Sequence, residues 1–295
     1  MDRSQKIFAE LSEDFTKLQT VDLETLPKLS WEDIKLAHDL DFISRLFDQD
    51  LAVLEVQHCY EVTQKDLISG INQKPLWKMP EDVLFQCRGT YMAALSALKN
   101  ESSFFLGGGM HHAMRFAGRG FCLLNDIVIA ARKLQLDHGI KRCLIIDVDA
   151  HKGDGTTQIT QHDDSIFTLS LHMKNAWPID GSLGPGPWDL PSDLDIEFGI
   201  GEESPYLEKL TAALAQVDIA GFGFAFIVLG ADAWEHDELK STQSLKLNSD
   251  QMLARDQLIE STLAQFKIKR TYVMGGGYGE RAHEPYVNFL KSLLN

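Results

Sequence analysis

An α/β class, with a mostly parallel central sheet and helices on both faces, is what this sequence predicts. Two observations carry the prediction. After about residue 100, short apolar runs alternate with longer stretches of three- and four-residue apolar spacing, the alternation that builds strand–helix–strand units. Several of these runs are almost wholly apolar, as strands buried on both faces must be.

In chain order, the first hundred residues read as helices. "SQKIFAELSEDFTKL" (4–18), "SWEDIKLAHDLDFISRLFDQDLAVL" (30–54) and "VLFQCRGTYMAALSALKN" (83–100) repeat apolar residues at helical steps. Ser30 with Asp33, just before an apolar run, marks a helix start. The expected strands are "SFFLGGG" (103–109), "CLIIDVD" (143–149), "IFTLSLH" (166–172), "FAFIVLG" (224–230) and "TYVMGGG" (271–277). Helices are expected between them, at "FCLLNDIVIAARKLQ" (121–135) and "SPYLEKLTAALAQV" (204–217). No repeat or low-complexity tract divides the chain, and "PIDGSLGPGPWDLPSD" (178–193) reads as a long functional loop rather than a linker. Residues 1–295, with 44% hydrophobic content, are therefore expected to form a single domain with a large core.

Composition narrows the function classes. A formal net charge of −15 argues against a nucleic-acid surface, which needs clustered Lys and Arg; it permits a cationic substrate and also serves solubility. Four cysteines without CxxC spacing suggest neither a disulfide framework nor a thiolate zinc site. Residues 1–20 lack a signal-peptide stretch and no segment has the length of an apolar membrane span, so a cytoplasmic location is expected.

Four expected strands finish in "FFLGGGMHH", "CLIIDVDAH", "IVLGADAW" and "TYVMGGGY". In open α/β sheets the ligand crevice lies beyond the carboxyl ends of the strands, so these motifs should converge. Charged residues ending a buried strand need a partner. Asp147, Asp149 and His151 alternate along one face of an extended chain. With Asp232, the pair Asp149 and His151 would give a cation Asp, His and Asp plus an open position, the pattern of a catalytic zinc; Asp147 and Asp154 would orient neighbouring groups. His111 and His112, after Gly107 to Gly109, suit acid–base work, and Tyr278 could donate to a developing oxyanion.

"GGGMHHA", "GRGFCLLNDI", "DVDAHKGDGT", "TLSLH", "GADAWEHDEL" and "GGGYG", spanning residues 107–279, occur in the order found in a known family. The chain resembles the zinc-dependent histone deacetylases and acetylpolyamine amidohydrolases of the arginase/deacetylase fold, with motifs closest to class IV and related bacterial deacetylases. Weaker similarity at "LAHDLDFISRLF" extends this towards the N-terminus. The resemblance implies one zinc ion on Asp149, His151 and Asp232, and His111 and His112 as a proton-handling pair held by Asp147 and Asp154. Tyr278 would polarise the scissile carbonyl. Gly120 and Phe121 would line a narrow acyl-lysine channel with Trp177 as its opposite wall, and Ser170 and Leu171 would contribute to a potassium site.

Three departures stand out. Lys152 follows His151 where many relatives have a second histidine. The chain begins in a helix, without the family's usual opening strand. Residues 176–195 have little that can be matched. The reaction implied is hydrolysis of an acylated amine, either an acyl-lysine peptide or an acetylated polyamine, by metal-activated water. One alternative is a non-catalytic acyl-amine binding or scaffold protein. Another is a ureohydrolase of the same fold, whose two-metal centre would need a DxDxxD strand end; "GADAWEHD" offers Asp232 at the first position but Trp234 at the middle one.

Overall fold

A computed structural model describes residues 2–12, 25, 27–63, 75–242 and 244–294. Six strands form one sheet in the order β1-β6-β5-β2-β3-β4, and every neighbouring pair is parallel. They are β1 (Ser102–Phe104), β2 (Cys143–Asp147), β3 (Ile166–Met173), β4 (Leu194–Phe198), β5 (Phe224–Leu229) and β6 (Lys269–Met274). The central strands β2 and β5 are buried along their whole length, which is why their sequences are continuously apolar.

Successive strand residues serve opposite cores. Leu144, Ile146, Ala225 and Ile227 pack on one face with α1 (Arg3–Ser12), α8 (Tyr206–Gln216), α9 (Ser249–Gln265) and α10 (Glu284–Leu294). Cys143, Ile145, Phe224 and Phe226 pack on the other with α2 (Trp31–Ile34), α3 (Leu40–Phe47), α4 (Gln49–Cys59), α5 (Met79–Asn100) and α6 (Asp126–His138). This is the period-two alternation of a strand meeting helices on both sides. A short helix, α7 (Asp154–Thr160), follows the β2 loop. No helix among the described residues is long and apolar enough to cross a membrane.

The structure corrects several boundaries. The stretch 30–54 is three helices rather than one. Asp33 accepts from the amide and hydroxyl of Ser30 to start α2. Asp48 then breaks the run, because its carboxylate accepts from Asp50 and Leu51 to cap α4, both at 3.0 Å. Residues 121–125 are not helical: α6 begins after Asn125, whose side chain accepts from the Val128 amide. Strand β4 is an addition to the expected set: "LDIEF", directly after the Gly/Pro-rich loop, alternates apolar and polar residues as a half-buried strand does and pairs only with β3 at the sheet edge. The part of the first expected helix beyond Ser12 lies outside the described residues.

The two-core arrangement makes a simple stability prediction. Phe226→Ala, in the centre of β5, should cost about 3–5 kcal/mol in a urea melt. Ile200→Ala, at a side chain 87% exposed, should stay within about 0.5 kcal/mol of wild type. Equal effects would contradict the assignment of these faces.

Candidate active site

The carboxyl ends of β2 and β6 and the turn after β1 meet around one cavity of about 220 Å³, and the end of β5 packs against Asp149 beside it. Its lining includes His111, His112, Phe121, Asp149, His151 and Tyr278. Motifs scattered over 170 residues of sequence thus converge as the parallel topology requires.

Asp149, His151 and Asp232 are all buried, and their ligand atoms lie within 4.8 Å of one another. Nδ1 of His151 is 2.9 Å from Asp232 Oδ2 and 3.2 Å from Asp149 Oδ1. Burial, and then the charge of Asp149, push the Asp232 carboxyl up to about 6. Two buried carboxylates and an imidazole nitrogen aimed at one point suit a divalent cation, which would relieve that repulsion. Gly230 makes the approach possible: a Cβ there would lie 2.5 Å from the Asp149 Cα.

His111 and His112 form a second layer, with ring centroids 3.9 Å apart. Nδ1 of His111 donates to Asp147 Oδ2 and Nδ1 of His112 to Asp154 Oδ1, each at 2.6 Å. Both Nε2 atoms are left for chemistry. Burial alone would lower His111, but Asp147 and Asp149 outweigh it and hold the ring at about 9. Burial and the neighbouring His111 bring His112 down to about 4 against the pull of Asp154. Neighbouring imidazoles are thereby pushed towards opposite protonation states. His111, His112 and Asp149 also meet the spacing for a metal set, so ion stoichiometry is informative.

The channel residues take distinct places. Gly120 and Phe121 both have positive φ, of 55° and 64°. A Cβ on Gly120 would run into the Trp177 ring at 2.5 Å, and the Phe121 amide is pinned to the Cys59 carbonyl at 3.0 Å. For a phenylalanine that conformation costs about 1–3 kcal/mol, and it leaves the ring 41% exposed beside the cavity. Phe121 faces Tyr278 at 6.4 Å between ring centroids, while Trp177 packs edge-on to His112 at 4.7 Å. Ser170 and Leu171 lie in β3, where the Ser170 hydroxyl meets His172 Nδ1 at 3.0 Å and Leu171 is fully buried.

Several residues near the site had no role in the sequence reading. Arg3 of α1 donates to the Gly275 and Gly277 carbonyls at 2.8 and 3.1 Å. Asp126 holds the glycine turn through the amides of Gly109 and Met110, and Asp237 accepts from the Tyr278 amide at 2.6 Å. Ser241 Oγ lies 3.3 Å from His151 Nε2. Arg119 lies 3.1 Å from Asp154 and over the rings of Trp177 and Trp188. Asp126 and Asp237 fall inside quoted motifs, whereas Arg3 is an isolated basic residue with no local signal.

Asp232→Ala should remove the metal together with activity while leaving a folded chain. Metal analysis should find one divalent ion per wild-type chain and less than a tenth of that in the variant. Two ions of comparable affinity would favour the two-metal alternative.

The comparisons point the same way. An uncharacterized protein of Picosynechococcus sp. is 33% identical over 196 residues, covering 66% of this chain and 62% of that protein. The acetylpolyamine amidohydrolase of Mycoplana ramosa is 33% identical over 177 residues, covering 57% of this chain and 49% of its own length. The matched region thus spans less than two thirds of either relative. The crystal structure of an acetylpolyamine aminohydrolase from Burkholderia pseudomallei superposes with a TM-score of 0.72 at 17% identity, covering 98% of this chain and 89% of that one, and shares the fold. The histone deacetylase domain family matches residues 1–291, and the chain belongs to that family.

Proposed function

We propose that the protein is a zinc-dependent amidohydrolase that removes an acetyl or other acyl group from an amine, either an acyl-lysine or an acetylated polyamine. The observation that carries this reading is the pair of buried His–Asp contacts sharing one cavity with Asp149 and His151, behind which Asp232 joins the His151 ring. Zinc held by those three residues would polarise the amide carbonyl and lower the pKa of water from 15.7 towards about 7.

The protein's own groups divide the remaining work. His112, kept neutral with its Nδ1 proton on Asp154, presents a lone pair at Nε2 and acts as general base towards water. His111, whose Nδ1 donates to Asp147, supplies positive charge and a proton for the leaving amine. Burial raises the Tyr278 hydroxyl far above its ordinary value, so it stays protonated and donates to the carbonyl oxygen as charge develops. Phe121 and Tyr278 form apolar walls suited to a methylene stem. We place this chemistry in the cytoplasm, where the four free, buried cysteines would stay reduced.

Turnover of a fluorogenic acetyl-lysine reporter by the zinc-loaded protein tests the reading directly. Zinc binding without turnover of acyl-lysine or acetylpolyamine would instead favour a binding or scaffold role. Tyr278→Phe should keep zinc and fold but lower kcat by about 10²- to 10³-fold, the scale for one oxyanion donor. Near-normal turnover would assign that role elsewhere.

The net charge of −15 favours a cationic substrate. Exposed charges are screened beyond about 8 Å at physiological ionic strength, so kcat/KM for acetylspermidine should fall with salt while kcat holds. Equal use of a neutral N-acetyl alkylamine, with no salt effect, would reduce the acidic surface to a solubility feature.

A further inference from the structure

We propose that Arg255 is a positioning residue that fixes the distance between the two carboxylate-bearing strand ends of the metal site. Its Nη1 donates to the carbonyl oxygens of both Val148 and Gly230, each at 3.0 Å. Val148 immediately precedes Asp149, and Gly230 lies two residues before Asp232. The inference rests on the metal-site reading above.

The location of those carbonyls explains the need. β2 ends at Asp147 and β5 at Leu229, and a last inter-strand bond joins the Val148 amide to the Val228 carbonyl at 3.0 Å. The Val148 and Gly230 carbonyls lie just past these strand ends, where a buried C=O still needs a donor. One guanidinium nitrogen serves both. The separation of the two chains, and with it that of Asp149 and Asp232, is set from α9 on the far side of the peptides.

Arg255 is 1% exposed and is the largest fully buried side chain described. Its Nε donates to Asp256 Oδ1 at 2.7 Å, and Asp256 is itself buried, so the charge is paired within the helix. A buried ion pair is a poor source of stability, because desolvation offsets most of its attraction and apolar residues of similar volume often do as well. Apolar residues could not hold two carbonyls at once. A planar guanidinium with several fixed donors can.

Metal sites tolerate only about 0.2 Å in ligand position, and loss of supporting contacts typically weakens binding by about 10- to 100-fold. The test compares wild type, Arg255→Lys and the paired Arg255→Gln/Asp256→Asn variant, which leaves no lone charge in the core. Zinc affinity is measured by competition with a chromophoric chelator, cobalt(II) loading by its visible absorption bands, and folding by thermal melts of the metal-free proteins.

The paired variant should melt cooperatively, bind zinc about 10- to 100-fold more weakly and give altered cobalt bands. Lysine should recover part of the loss. A purely structural role would lower the metal-free melting temperature and leave the cobalt spectrum of the folded protein unchanged. Wild-type zinc affinity and cobalt bands in the folded paired variant overturn the proposal. If that variant does not fold, the same result for the lysine variant overturns it. Failure of wild type to bind metal more tightly than Asp232→Ala would instead overturn the metal-site reading.

Discussion

Carboxylates crowded into a dry space are the constraint on which the rest of the site depends. Asp147, Asp149, Asp154 and Asp232 are all buried, Asp149 at the cavity wall and the others behind its lining, and unpaired they would oppose folding. The protein answers two of them with its own cations or donors: His111 for Asp147, and His112 with Arg119 for Asp154. Asp149 and Asp232 receive backbone amides, from His151, Gly276 and Ala150, and share the His151 imidazole, with His111 Nε2 farther off at 3.8 Å from Asp149. That residual negative charge gives this corner the donor set of a candidate cation site, beside a corner occupied by two carboxylate-bound histidines. Placing the two corners side by side also splits the histidines, since Asp147 and Asp149 outweigh the burial of His111, whereas burial and then His111 lower His112.

Much of this was legible in the sequence, and the parts that were not share a physical cause. Continuous apolar runs such as "CLII" and "FAFIVL" identify central strands because burial on both faces removes polar positions up to the strand end. The polar residues ending those runs identify the crevice because only a ligand or a partner justifies them there. Edge strand β4 is only five residues long and follows a Gly/Pro-rich loop, so its alternation of Asp195 and Glu197 with apolar residues is a short signal beside the continuous apolar runs. The break between α3 and α4 was hidden because capping by Asp48 resembles one more polar position on a helical face. Arg3 acts 272 residues away, on Gly275, and contacts of that kind have no periodicity to read.

Lys152 links these two kinds of miss. A lysine beside a metal ligand suggests extra positive charge in the site, yet its Nζ reaches Asp195 Oδ2 at 2.9 Å. Asp195 lies in β4, in register with Ser170 of β3, and its carboxylate also accepts from the Ser192 amide. The ammonium is therefore matched by an acid on the edge strand. A polar position that obscured β4 in the sequence is the partner that a buried lysine requires, because either charge left alone in that space would be costly. His172, also buried there, is held down at about 4 chiefly by desolvation, so it adds no charge near neutrality. The departure at position 152 thus alters the ion pairing beneath the site and leaves the contacts among Asp149, His151 and Asp232 as they are.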